Sequence, residues 1–111
     1  MAYDDDLARR IRGLLADTPE IVEKRMFGGL AFLVGGHMAV AASGQGGVLV
    51  RVEPSESDAL VAETPAERME MRGRPMQGWL RVAEAHVATD EALADWVRRG
   101  LTYAGSLPAK P

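Results

Sequence analysis

The sequence predicts an α+β fold, in which helices pack on one face of an antiparallel sheet of about five to six strands. Three observations predict it. Strand-like runs cluster instead of alternating with helices. The links between the early strand runs, Gly35-Gly36 and Gly44 to Gly47, are too short for parallel crossovers. Helical patterns or helix starts occur at the two ends of the chain and once between the strand groups, giving the order α-β-β-β-β-α-β-β-α.

The first helix is read over Met1–Asp17. Leu7, Ile11, Leu14 and Leu15 make one apolar stripe, and Asp4, Asp5 and Asp6 suit the positive end of the helix dipole. Arg9, Arg10 and Arg12 fall mainly on the outer face, and Asp17-Thr18-Pro19 ends the helix. Residues 20–27 are the first strand segment, followed by a bend at Gly28-Gly29. The apolar run Leu30–Val34 suits a central strand, and Gly35-Gly36 is a hairpin signal. His37–Ser43 is the next strand, expected to carry Met38 and Val40 on one face. In Val48–Val52, valines alternate with Leu49 and Arg51.

Pro54–Asp58 reads as a helix start, with Ser55 and Asp58 spaced as a capping pair and Leu60 on the buried side. Met69-Glu70-Met71 is a short strand. Gly73-Arg74-Pro75-Met76 is expected to be a tight connection that lies at an edge of the sheet or outside it, because Pro cannot donate to a ladder. Trp79–Ala83 is a strand. Thr89 caps the last helix, whose buried stripe is Leu93, Trp96, Val97, Leu101 and Ala104, with Gly105 just past its end. Residues 1–111 are read as one domain, with 105–111 as a flexible tail.

Composition narrows the function. The chain has 16 acidic and 13 Lys or Arg residues, a net charge of −3, with the bases scattered. Proteins that grip phosphates usually concentrate positive charge on one face, so nucleic-acid binding is doubtful. There is no cysteine, so neither a disulfide nor a thiolate metal site can form. That suits a reducing cytoplasm, the expected location. The longest apolar run is far shorter than the ~20 residues of a membrane span, and the acidic start is unlike a signal peptide.

A search for catalytic chemistry gives none. No serine stands in a Gly-x-Ser-x-Gly elbow, and His37 and His86 lack the further ligands a metal needs. Gly44–Gly47 lies between strands, and Gly73–Gly78 is followed by Trp79 where a phosphate loop needs Lys. No catalytic residue, metal or cofactor is assigned, and the chain is expected not to be an enzyme.

What remains is a matched pair of stretches. Lys24-Arg25-Met26-Phe27-Gly28-Gly29 and Gly73-Arg74-Pro75-Met76-Gln77-Gly78-Trp79 each set Arg and Met before a glycine. Two readings stay open. In one, Arg25, Met26, Phe27, Arg51, Arg74, Met76 and Trp79 present a surface for a protein partner or an anion, since Arg and Trp dominate interface hot spots. In the other, Phe27, Met76 and Trp79 are core and the arginines brace the bends. An exposed sheet edge also predicts pairing with a second copy as a homodimer.

The combination of "KRMFGG" at Lys24–Gly29, "VLVRV" at Val48–Val52, "GRPMQGWLRV" at Gly73–Val82, the Trp96 helix and "SLP" at Ser106–Pro108 resembles the N-terminal domain of the TfoX/Sxy family. The resemblance implies a two-layer fold similar to YjbR-like and secretion-chaperone-like folds. It implies a regulatory role in DNA transformation competence, of the transcriptional co-activator type. Regulators of that type usually carry a second, helical C-terminal domain, so this chain is expected to be a stand-alone N-terminal domain. The expected function is a non-enzymatic regulatory or adaptor domain acting through protein contacts, with the transcription machinery as a candidate partner. The alternatives are a direct DNA-binding regulator and a small-molecule-binding protein or unrecognised enzyme.

Overall fold

The computed structural model describes residues 4–26, 28–71 and 73–108. Helix α1 (Asp5–Leu14) leads into four strands, β1 (Val22–Met26), β2 (Gly29–Val34), β3 (His37–Ala42) and β4 (Val48–Arg51). Helix α2 (Ser57–Glu63), strands β5 (Glu67–Met71) and β6 (Arg74–Val82), and helix α3 (Asp90–Ser106) complete the chain. The order is the predicted one. The strands form one six-stranded antiparallel sheet in the order β1-β2-β3-β4-β6-β5. β6 pairs with β4, which leaves β1 and β5 as the two edges.

The ends of α1 and α3 follow from local chemistry. Asp4 Oδ1 accepts hydrogen bonds from the amides of Asp6 and Leu7, satisfying two free donors of the first turn. Thr89 Oγ1 accepts from the Ala92 amide in the same way. The basic residues of α1 are more than a solvated face. Arg12 binds the Glu23 carboxylate through two bonds of 2.7 Å, tying α1 to β1. Arg10 donates to the Val87 and Ala88 carbonyls and to Asp90 at the start of α3. α1 ends at Leu14 rather than Asp17.

α3 buries Leu93, Trp96, Val97 and Ala104, with Leu101 partly buried, as its periodicity predicts. Gly100 joins them. A side chain there would place its first carbon 2.2 Å from the Ala39 carbonyl oxygen, so only glycine lets the helix lie this close to β3. Gly105 does not end the helix. α3 continues to Ser106, and His37 Nε2 lies 2.7 Å from the Pro108 carbonyl oxygen, tying the following residues to the start of β3.

The sheet has two unlike faces. One carries Leu30, Phe32, Val40, Val48, Val50, Leu80 and Val82 against Leu7, Ile11, Leu93, Trp96 and Val97 of the helices. The other carries Ala31, Met38, Ala41 and Leu49, packed against Met26, Leu33, Met69 and Trp79. Met38 and Val40 therefore lie on opposite faces, contrary to their spacing. The pairing Phe32↔Val40 is followed by Leu33↔Met38, so Ala39 is an extra residue in β3. One inserted residue reverses the alternation beyond it.

The second half departs further from expectation. Pro54–Glu56 is a single 3-10 turn before α2. Ser55 and Asp58 form no capping pair, and Ser55 Oγ instead donates to Glu53 Oε1 at 3.4 Å. The neighbouring Ser57 is fully buried, and its Oγ accepts the Gly78 amide at 2.7 Å. Gly78 has φ +84° in the middle of β6, a conformation that other residues rarely adopt, and its carbonyl accepts the Val52 amide at 2.8 Å. The segment expected as a tight connection belongs to the strand, since β6 begins at Arg74. Pro75 is tolerated because β4 pairs only with Trp79–Val82, so the start of β6 has a partner on the β5 side alone.

Candidate functional site on the second face of the sheet

The second face is built entirely from strands. Its centre is Ala31, Met38, Ala41 and Leu49, all nearly inaccessible, on the adjacent strands β2, β3 and β4. Met26, Leu33, Met69 and Trp79 ring this centre and are half-buried. The alternation of β4 sets the pattern. Val48 and Val50 point at the helices, so Leu49 and Arg51 point the other way. Trp79 is paired directly with Arg51 and joins it on that face.

Among the described residues three cations stand on this face, Lys24 opposite Ala31, Arg81 opposite Leu49, and Arg51. Arg51 is the one held by aromatic rings. Its guanidinium carbon lies 5.0 Å from the Trp79 ring centre and 5.6 Å from that of Tyr103 on α3. It is thus held by two aromatic rings at the end of the sheet where both layers meet. Each such contact is worth roughly 0.5–1 kcal/mol when partly exposed. Among the described residues it has no carboxylate partner, unlike Arg9, Arg10, Arg12, Arg68, Arg98 and Arg99. A guanidinium held this way keeps its donors available to an incoming acceptor.

The seven residues singled out in the sequence are only partly brought together. Met26, Arg51 and Trp79 share this face. Arg25 pairs with Leu30 and, with Glu23, faces the helix side of the edge strand β1. It lies three strands from Arg51, about 14 Å across the sheet, and level with Val48, a further ~10 Å along β4. Arg74 is exposed at the start of β6, five residues and about 17 Å along the strand from Trp79. Met76 is half-buried between them. Phe27 lies outside the described residues. The three arginines therefore form no single patch.

Tyr103, Met69, Leu33 and Met38 belong to the site but were not singled out. The Leu49/Arg51 alternation was the available signal for this face. Nothing in the sequence pointed to Tyr103, which reaches Arg51 through the tertiary packing of α3. Concave sites elsewhere are small and open. One cleft of about 240 Å³ lies between α2 and α3, lined by Glu56, Leu60, Asp95 and Arg98 among others. Others of about 250 and 210 Å³ lie beside Arg81 and Glu84 and between α1 and α3. These fall below the usual range for small-molecule pockets, and neither Arg74 nor Trp79 lines them. No group of three or more acidic or histidine residues among the described residues is placed to hold a metal. Among the described residues no helix is long and apolar enough to cross a membrane.

What the arrangement offers chemically is an adaptable apolar surface with one aromatic-held cation at its margin. Thioether side chains reshape to fit varied partners, and Trp and Arg contribute most to protein interfaces. Compared with known proteins, residues 13–104 match the family model described as the TfoX N-terminal domain. No curated protein matches the chain.

Proposed function

The chain belongs to the TfoX N-terminal domain family, and from that premise we propose that it is a non-enzymatic adaptor that regulates through protein contacts. The family implies a regulatory, competence-related role. The observation that carries the reading is the second face of the sheet, where Met26, Leu33, Met69 and Trp79 surround a buried centre beside Arg51. A sheet face covered by helices needs no such residues. A face kept for a partner profits from flexible thioethers and from a Trp–Arg pair. The net charge of −3 also favours a protein partner over direct contact with DNA.

A photoreactive amino acid at Leu33, compared with one at Arg9 on the exposed side of α1, tests this in the organism of origin. A discrete protein adduct from position 33, lost when Trp79→Ala is added, is the expected result. Equal adducts from both positions, or an adduct to DNA instead of protein, would overturn it.

A further inference from the structure

The two edges of the sheet are treated differently. β5 is interrupted by a register shift between Arg68 and Glu70, and Arg68 is drawn to Asp58 of α2. Bulged edges resist further pairing. β1 is regular along all five of its pairs to β2, from Val22↔Leu33 to Met26↔Gly29. Val22, Glu23, Lys24 and Arg25 are exposed, and Val22 is 59% accessible, the more open of two exposed large apolar side chains among the described residues.

The sequence of this edge is complementary to itself. A two-fold axis normal to the sheet pairs an antiparallel strand with its copy about one residue. Centred on Lys24, all five residues of β1 find partners. Glu23 then faces Arg25 of the second copy, and Arg25 faces Glu23. Both residues lie on the helix side of the sheet, where Glu23 already meets Arg12. On the other side Val22 faces Met26 of the second copy, and Met26 faces Val22. Moving the centre to Glu23 or Arg25 sets Val22 or Met26 against Lys24 and loses both ion pairs. Directly opposed opposite charges and apolar pairs are the units that stabilise a sheet.

We propose that β1 is a self-association edge, at which two copies of this chain join antiparallel about Lys24 into one continuous sheet. The joint covers Val22, adds a second acceptor-donor pair at Glu23 and Arg25, and extends the apolar second face from Met26 across the axis. Lys24 meets its own copy on the axis. Its long stem lets the ammonium diverge into solvent, and the repulsion keeps the pairing reversible. This proposal uses the edge of the sheet, so it stands or falls separately from the partner proposed for the second face.

Charge exchange tests the register. Sedimentation equilibrium of the full chain is measured near neutral pH at low salt for the parent protein, Arg25→Glu and Glu23→Arg. The parent is expected to dimerise. Each variant places like charges opposite each other in a dimer of its own kind, so its self-association should weaken roughly tenfold or more. Mixed in equal amounts, the two variants should form a dimer with one copy of each, because every 23–25 contact is again opposite in sign. Arg25→Glu leaves the Arg12–Glu23 bond in place, so it also controls for loss of that tie. A parent that stays monomeric at its highest soluble concentration overturns the proposal. So does a dimer that neither substitution weakens, or a mixture that fails to recover it.

Discussion

The two faces of one sheet are built from different side chains, and the difference separates stability from contact. The helix-covered face uses Phe32, Val40, Val48, Val50, Leu80 and Val82, mostly β-branched or aromatic residues of fixed shape. The second face sets Ala31, Met38, Ala41 and Leu49 at its centre and Met26, Leu33, Met69 and Trp79 around them. Rigid side chains suit a partner that never changes, here α1 and α3. Flexible ones suit a surface whose cover is not part of the same fold. The same two strands, β2 and β3, carry both patterns, and the bulge at Ala39 lets them do so out of step with simple alternation.

The sharpest way to break this comparison is to truncate one large ring on each face. Phe32→Ala empties a fully buried site and should cost about 3–5 kcal/mol. Trp79→Ala removes a half-buried ring and should cost about 1–2 kcal/mol. Urea titrations of both variants check this. Equal losses would mean that the second face is as much a part of the core as the first.

A smaller effect separates two glycines of α3. Gly100→Ala drives a side chain into the Ala39 carbonyl and should cost about 1–3 kcal/mol by lifting the helix from the sheet. Gly105→Ala meets open space and should stabilise by a few tenths of a kcal/mol through helix propensity. Thermal melts of the pair should move in opposite directions. A fall in both would mean that the helix end is also under close constraint.

The smallest expected effect lies at the tie between α1 and β1. The hydrogen bond from Arg12 holds the Glu23 carboxyl below its ordinary range, against a smaller opposing effect of burial. A carboxylate lowered in the folded state adds stability above its unfolded value and loses it as pH falls through the folded one. Stability should therefore decline on acidification more steeply in the parent than in Glu23→Gln. The pair is surface-exposed, so its contribution at neutral pH should stay below about 1 kcal/mol. Urea midpoints measured across the acidic range check the slope. Identical slopes would remove Glu23 from the account.

Much of the fold was legible because its signals are local. The Leu7-Ile11 and Leu93-Trp96-Val97 stripes, the Gly35-Gly36 turn and the alternation in Val48–Val52 each need only a few neighbouring residues. What the sequence concealed depends on packing at a distance. His37–Ala42 is apolar nearly throughout, so no polar residue marked Ala39 as the inserted one. Pro75 argued against a central strand position, and only the shortness of β4 shows that the start of β6 has a neighbour on one side alone. Ser57 looked like any helix-start serine, yet its hydroxyl holds the Gly78 amide of a strand 21 residues away. The candidate site shows the same division. Met26, Arg51 and Trp79 could be picked out by residue type, whereas Arg25 and Arg74 were grouped with them by motif and lie elsewhere on the sheet. Tyr103 and Met69 enter only through the tertiary arrangement.

The most direct test of the central claim is a double substitution, Trp79→Ala with Arg51→Glu, returned to the organism of origin in place of the parent gene. Transcription of the competence genes is the readout, with protein abundance and melting temperature measured alongside. The double variant should be a folded protein at near-normal abundance that no longer supports transcription. A folded variant that regulates as well as the parent would contradict it, and would return the second face to a purely structural role.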